Sequence, residues 1–235
     1  MDKFLYTKEL VCVVCSKKHE TCKVRIRKLP VEKKDSDFHI WYKDVNPVYY
    51  NVWVCPNCGL SVTESEHMPI STEQKSVFLK SIGVKWTKRD FSGERTYEQA
   101  VESHQLALLT GQVLNKSNGY LGGLCLRLAW LFREYNDSRE NQYLKHALDH
   151  LEAAYSSESF PIAGLDEISL SYLIGELKRM LGSPKEAIFW FSRALGHPDI
   201  KNKRLIQRKA RDQWQTARDA YREEKEITEN ESVDV

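Results

Sequence analysis

Four of the six cysteines fall in two Cys-x-x-Cys pairs, Cys12/Cys15 and Cys55/Cys58, and the other two, Cys22 and Cys125, stand alone. A Cys-x-x-Cys turn sets two thiolates on one side of a tight loop. Two such loops facing each other supply four sulfurs in tetrahedral array around one cation, with metal–sulfur bonds near ~2.3 Å. The pairs are separated by residues 16–54, so a fold must bring them together. The second pair, Cys55-Pro56-Asn57-Cys58-Gly59, is a good zinc knuckle, because Gly59 lets the backbone turn until amide groups point at the thiolates. The first pair, Cys12-Val13-Val14-Cys15-Ser16, lacks that glycine.

The expected cofactor is one structural zinc ion, with iron as the alternative that four thiolates also suit. A closed four-sulfur site keeps no position for water or substrate, which excludes the usual catalytic use of zinc. Neither pair opens a helix after a strand–helix–strand pattern, so a thioredoxin-like redox motif is a poor fit. His39 is the reserve ligand, ahead of His19 and Cys22. Cys125, in an apolar helical stretch, reads as a small core residue.

The elements that must position the pairs are β-prone. Residues 23–27 alternate polar with apolar, the period of a half-buried strand, and residues 48–54 are rich in β-branched and aromatic side chains. The expected fold class is α+β. A small β-rich, zinc-ribbon-like module over 1–70 leads into a connecting segment over 71–96 with a short helix. A tetratricopeptide-like all-α domain spans 97–226, and 227–235 is a polar, frayed tail. Ser71-x-x-Gln74 fits a capping box for the short helix. Further helices are expected over 97–114, 124–135, 140–155, 168–181, 184–195 and 201–226. Gly175, Ala187, Phe191 and Ala194 repeat small, small, aromatic, small at tetratricopeptide-like spacing. Small residues suit the close crossing of two antiparallel helices, and the aromatic fills the gap beside them. Leu128, Ala129, Ala147, Leu151 and Ala154 echo the pattern more loosely.

Residues 12–59 resemble the bacterial family known as domain of unknown function 2225. The likeness rests on the first Cys-x-x-Cys, on Lys23-Val24-Arg25, on Asp35-Ser36-Asp37-Phe38, and on the long block from Asn46-Pro47-Val48-Tyr49-Tyr50 through Cys55-Pro56-Asn57-Cys58-Gly59. The resemblance implies a zinc-knuckle part followed by tetratricopeptide-like helices, in Gram-positive and often spore-forming bacteria. It implies no activity. The chain departs from the family pattern in the first knuckle, which lacks Pro and Gly, and at His39, which stands where a cysteine is expected.

Net charge is only +2, so an anionic partner must be met by a local patch. One such patch is the basic segment 17–34, where Lys23, Arg25, Arg27 and Lys28 would contact phosphates in a nucleic-acid-binding zinc ribbon. A solvated strand face is the simpler account. The longest apolar run, near residues 121–132, is interrupted by Arg127, and nothing approaches the ~20 apolar residues of a membrane span. With no signal-like start, the expected location is cytoplasmic. No nucleophile–base constellation and no phosphate-binding glycine loop is present. The leading expectation is therefore a non-enzymatic adaptor that binds a protein or peptide through its helical array. Nucleic-acid binding is the alternative, and a thiol-based redox or metal sensor is the weaker one.

Overall fold

The computed structural model describes residues 3–233. Among these residues six short strands form three separate antiparallel hairpins, and seven α-helices follow. Two of the hairpins carry the cysteine pairs as their turns. Strand β1 (Leu5–Val11) pairs with β2 (Lys18–Val24), joined through Cys12 and Cys15. Strand β5 (Val52–Val54) pairs with β6 (Ser61–Thr63), joined through Cys55 and Cys58. Between them lies the third hairpin, β3 (Val31–Lys34) with β4 (Ile40–Tyr42).

The strands differ from expectation in two places. Strand β2 stops at Val24, and Ile26–Lys28 forms a 3-10 turn that buries Leu29. Lys23, Arg25 and Arg27 therefore do not share a strand face. Residues 48–50 are not strand either. Asn46 accepts the Val48 N–H at 2.8 Å and caps a 3-10 turn, Pro47–Tyr50. Proline's fixed φ suits the first position of that turn.

The helices are α1 (Thr72–Ser81), α2 (Tyr97–Val113), α3 (Asn118–Glu134), α4 (Glu140–Ser157), α5 (Glu167–Met180), α6 (Pro184–Gly196) and α7 (Arg204–Val233). Reciprocal capping boxes start α1 (Ser71 with Gln74) and α2 (Thr96 with Gln99). Helix α3 begins six residues before the expected start at 124, because Ser117 caps it and its glycines are packing sites. A Cβ on Gly122 would stand 2.9 Å from the Leu151 side chain of α4. The same device joins α5 to α6, where Phe191 packs directly over Gly175 and a Cβ would meet its ring at 2.9 Å. Helix α7 continues to Val233 across most of the stretch expected to be frayed, and residues 234–235 lie outside the described ones.

The β hairpins and the helices share their interior. Val52 and Val54 pack with Ala107 of α2 and Leu124 of α3, and Val48 packs with Leu128 and Phe132. Arg95, just before α2, is buried and donates to the carbonyls of Tyr49, Val52 and Phe91, which ties the connecting segment to the strands.

The β3–β4 turn, residues 35–39, lies against α3, α5 and α7, alternate helices of the stack. Arg133 of α3 grips both oxygens of the fully buried Asp37, at 3.1 and 2.7 Å, and also reaches Asp35 at 3.0 Å. The Trp130 indole donates to Asp37 at 3.0 Å. Tyr172 of α5 donates to the Ser36 carbonyl at 2.8 Å, and Lys209 of α7 to the Asp35 carbonyl at 2.9 Å. Phe38 adopts φ +75°, a strained backbone for a bulky residue, and its ring centroid sits 5.4 Å from that of Tyr172. The face formed by these alternate helices, where a helical repeat would take a peptide, is thus filled by the protein's own turn. Among the described residues no helix is long and apolar enough to cross a membrane.

Candidate metal centre

The two cysteine turns are near copies of each other. In the first, the Cys12 N–H donates to the Lys17 carbonyl and the Ser16 N–H to the Cys12 carbonyl. In the second, the Cys55 N–H donates to the Leu60 carbonyl and the Gly59 N–H to the Cys55 carbonyl. Both turns need a left-handed residue at the same place, which is Gly59 at φ +78° in one and Ser16 at φ +59° in the other. The first knuckle therefore keeps the geometry without the glycine, at a backbone strain of ~1–2 kcal/mol. Gly59 meets a second demand, since the Trp86 ring lies over it and a Cβ would stand 2.4 Å from that ring. The Trp86 indole also donates to the Pro56 carbonyl at 2.9 Å. Sequence reasoning missed Trp86, which lies outside the module and in no repeating pattern.

The turns face each other, and the four sulfurs of Cys12, Cys15, Cys55 and Cys58 all lie within 4.8 Å of one another. Cys12 and Cys58 are 3.6 Å apart, and Cys15 and Cys55 are 3.7 Å apart. Those separations are far too long for a disulfide, and all four thiols are free. They match the ~3.8 Å edge of a sulfur tetrahedron with bonds of ~2.3 Å. Cys12, Cys55 and Cys58 are buried among Val14, Leu60, Val62, Phe78 and Ile82, and Cys15 is partly exposed. Backbone amides of Val14 and Cys15 point at the Cys12 sulfur, and those of Asn57 and Cys58 at Cys55.

Four sulfurs this close do not all ionise unaided. Contact with Cys55 pushes the Cys12 thiol up to about 12. Contact with Cys12 and Cys55 also raises Cys58, while hydrogen bonds from its neighbours hold Cys55 low. One thiolate sharing the protons of its neighbours is a site built for a cation, whose charge lets all four act as ligands. The residues therefore fit a four-thiolate metal site with no open position.

The remaining candidates lie elsewhere. His39, the reserve ligand, is not in the cluster. It is buried between the rings of Trp41 and Trp130, with Nε2 2.9 Å from Glu134. Cys22 and Cys125 are buried core residues, and burial pushes the Cys125 thiol up to about 12. The basic residues are scattered. Lys23 pairs with Glu64 at 2.8 Å; burial opposes its charge, but Glu64 outweighs burial and raises Lys23 above its usual range. Arg25 donates to the Leu5 carbonyl and lies over the Tyr6 ring. Arg27 and Lys28 are exposed on the 3-10 turn.

No curated protein and no solved structure matches this chain. A family of uncharacterised proteins conserved in bacteria does, over residues 5–217. That span takes in both knuckles, the buried turn and the first half of α7, and on it the chain belongs to this family, DUF2225.

Proposed function

We propose that the protein is a non-enzymatic adaptor, held in shape by one zinc ion on Cys12, Cys15, Cys55 and Cys58. In this reading it engages an acidic, amphipathic segment of another protein along the α6–α7 groove. The closed four-sulfur geometry supports a structural metal, and zinc is the ion such a site takes most simply. The observation that carries the docking surface is the contrast between the two sides of the helical stack. The face of α3, α5 and α7 is occupied by residues 35–39. Between α6 and α7, two neighbouring cavities of about 530 and 420 Å3 share Trp214 and Gln215, and Leu195 and Ile188 line their floor. Arg211, Arg218 and Arg222 edge the groove against Asp219 alone, and Phe189 is 59% exposed on α6. Apolar floor with a cationic rim is the complement of an acidic amphipathic helix.

A photo-crosslinker placed at Gln215 tests this. The expected product is a discrete adduct in native cells, mapped to an acidic segment of its partner and lost in Arg211→Glu/Arg218→Glu. An adduct unchanged by the charge reversal, or mapped to a basic segment, overturns the docking surface. Elemental analysis decides zinc against iron. The nucleic-acid alternative is less well supported, because Lys23 and Arg25 are already engaged within the protein.

A further inference from the structure

Arg127, the charge that interrupts the apolar run of α3, is half-buried and poorly satisfied. Its Nη1 donates to the Gly123 carbonyl at 2.8 Å, and among the described residues it makes no other hydrogen bond and no ion pair. Arg95 offers the contrast, since it is more deeply buried, likewise without a carboxylate, but is bonded to three carbonyls. Arg127 retains unbonded Nε–H and Nη2 groups on one edge of the fork, the edge that a carboxylate or phosphate grips with two parallel hydrogen bonds. Burial lowers its pKa, with no neighbouring carboxylate to restore it. His104, also buried, lies within electrostatic range and is itself held neutral.

The guanidinium is deep but not sealed. It lines a cleft of about 380 Å3 between β6 and the start of α3, and a neighbouring one of about 200 Å3. Thr63 and Ser65 line both. The larger volume is at the lower end of the range for small-molecule sites. Its walls offer the hydroxyls of Ser65, Ser117 and Tyr120. The Tyr120 oxygen accepts the Thr63 N–H at 3.4 Å, which leaves its own proton to donate, and burial pushes that phenol up to about 12. The three carboxylates that line the clefts each have a partner already. Glu64 holds Lys8 and Lys23, Glu66 holds Lys116 at 2.6 Å, and Glu158 accepts the Gly119 N–H at 3.1 Å. Gly123 keeps the space open, since a Cβ there would stand 3.1 Å from Nη1.

We propose that this cleft binds a small organic anion, a carboxylate or a phosphate monoester, with the Arg127 fork on its charged end and the Ser65, Ser117 and Tyr120 hydroxyls on its polar body. The anion supplies the counter-charge that the protein withholds. The site is separate from the α6–α7 groove, and it stands whether or not that surface binds a partner.

The test is an NMR titration of the metal-loaded full chain with inorganic phosphate and, separately, with succinate, at constant ionic strength held by chloride. The Arg127 Nε–H resonance is expected to move and to saturate in at least one arm, with Kd below about 10 mM. Thermal stabilisation should set in near the same concentration and go on rising with its logarithm. Arg127→Met should weaken the binding at least tenfold, and Arg127→Lys should leave it intermediate. Saturation with phosphate only assigns a phosphoryl ligand, and saturation with succinate only assigns a carboxylate. A wild-type resonance that does not saturate in either arm overturns the proposal, and so does equal affinity in Arg127→Met. Should Arg127→Met fail to fold, the wild-type titration decides alone.

Discussion

Replacing Arg133 with Met would strand a fully buried carboxylate, Asp37. Asp37 is fully buried, and its carboxylate accepts two bonds from Arg133 and one from Trp130. Burial alone would lower the Arg133 pKa, but Asp37 first and then Glu140 raise it well above the usual range. Removing one partner from such a buried pair typically destabilises by ~3–5 kcal/mol, because the other charge stays desolvated. For a chain of this size, ~2–4 °C per kcal/mol converts that into a Tm lower by ~6–20 °C. Urea unfolding of metal-loaded protein, followed by tryptophan fluorescence, measures it. Arg133→Met/Asp37→Asn should recover at least half of the loss, since it removes both charges together. The partner Asp35 adds a pH signature. Burial works against its charge, but Trp41 and Arg133 hold its carboxyl below the unfolded value of 3.8. Its share of stability is present above that value and is lost as the pH falls through the lower folded pKa. An Arg133→Met loss below ~1 kcal/mol, or a double variant no better than the single, would refute the view that this pair anchors the turn.

Other outcomes follow from the same geometry. Ser16→Gly should raise stability by ~0.5–1 kcal/mol by relieving a left-handed serine, whereas Gly59→Ala should lower it by more than ~2 kcal/mol through strain and the Trp86 ring; paired urea curves at saturating zinc would show it. Ellman titration of the folded protein should find all six thiols slow, and a chelator should expose four of them, leaving Cys22 and Cys125 protected; fewer than four released would contradict the metal site. His104 is buried, and desolvation pushes it down to about 3 from 6.5. The unfolded chain then takes up a proton that the folded chain refuses, so stability should fall from pH 6.5 downward, by several kcal/mol at ~1.4 kcal/mol per pKa unit. His104→Gln should flatten the part of that slope between pH 6 and 4, read as the difference between paired urea curves.

The cysteine pairs were legible because thiol chemistry is carried by residue type and spacing. The helices were legible from their period, with α4, α5 and α6 set to within two residues. The start of α3 was not, because Gly119 and Gly122 read as breakers until the close approach of Ile162 and Leu151 shows why nothing larger fits. The apparent strand over 23–27 was misread because a 3-10 turn can mimic alternation over so few residues. The burial of Asp37, and the lack of a counter-ion at Arg127, depend on neighbours far along the chain and leave no local mark.

The turn at residues 35–39 also sets an order of events during synthesis. Its hydrogen bond from Lys209 spans 174 residues of chain. Both knuckles leave the ribosome early and can take their ion while the helices are still unmade. Asp37 must then wait in water until α3 brings Trp130 and Arg133, ~5–20 s later at 5–20 residues per second, and Phe38 until α5 brings Tyr172. During that interval the nascent chain carries an apolar ring and an unmatched carboxylate at the tip of a finished hairpin, and a chain truncated before α3 would keep them so.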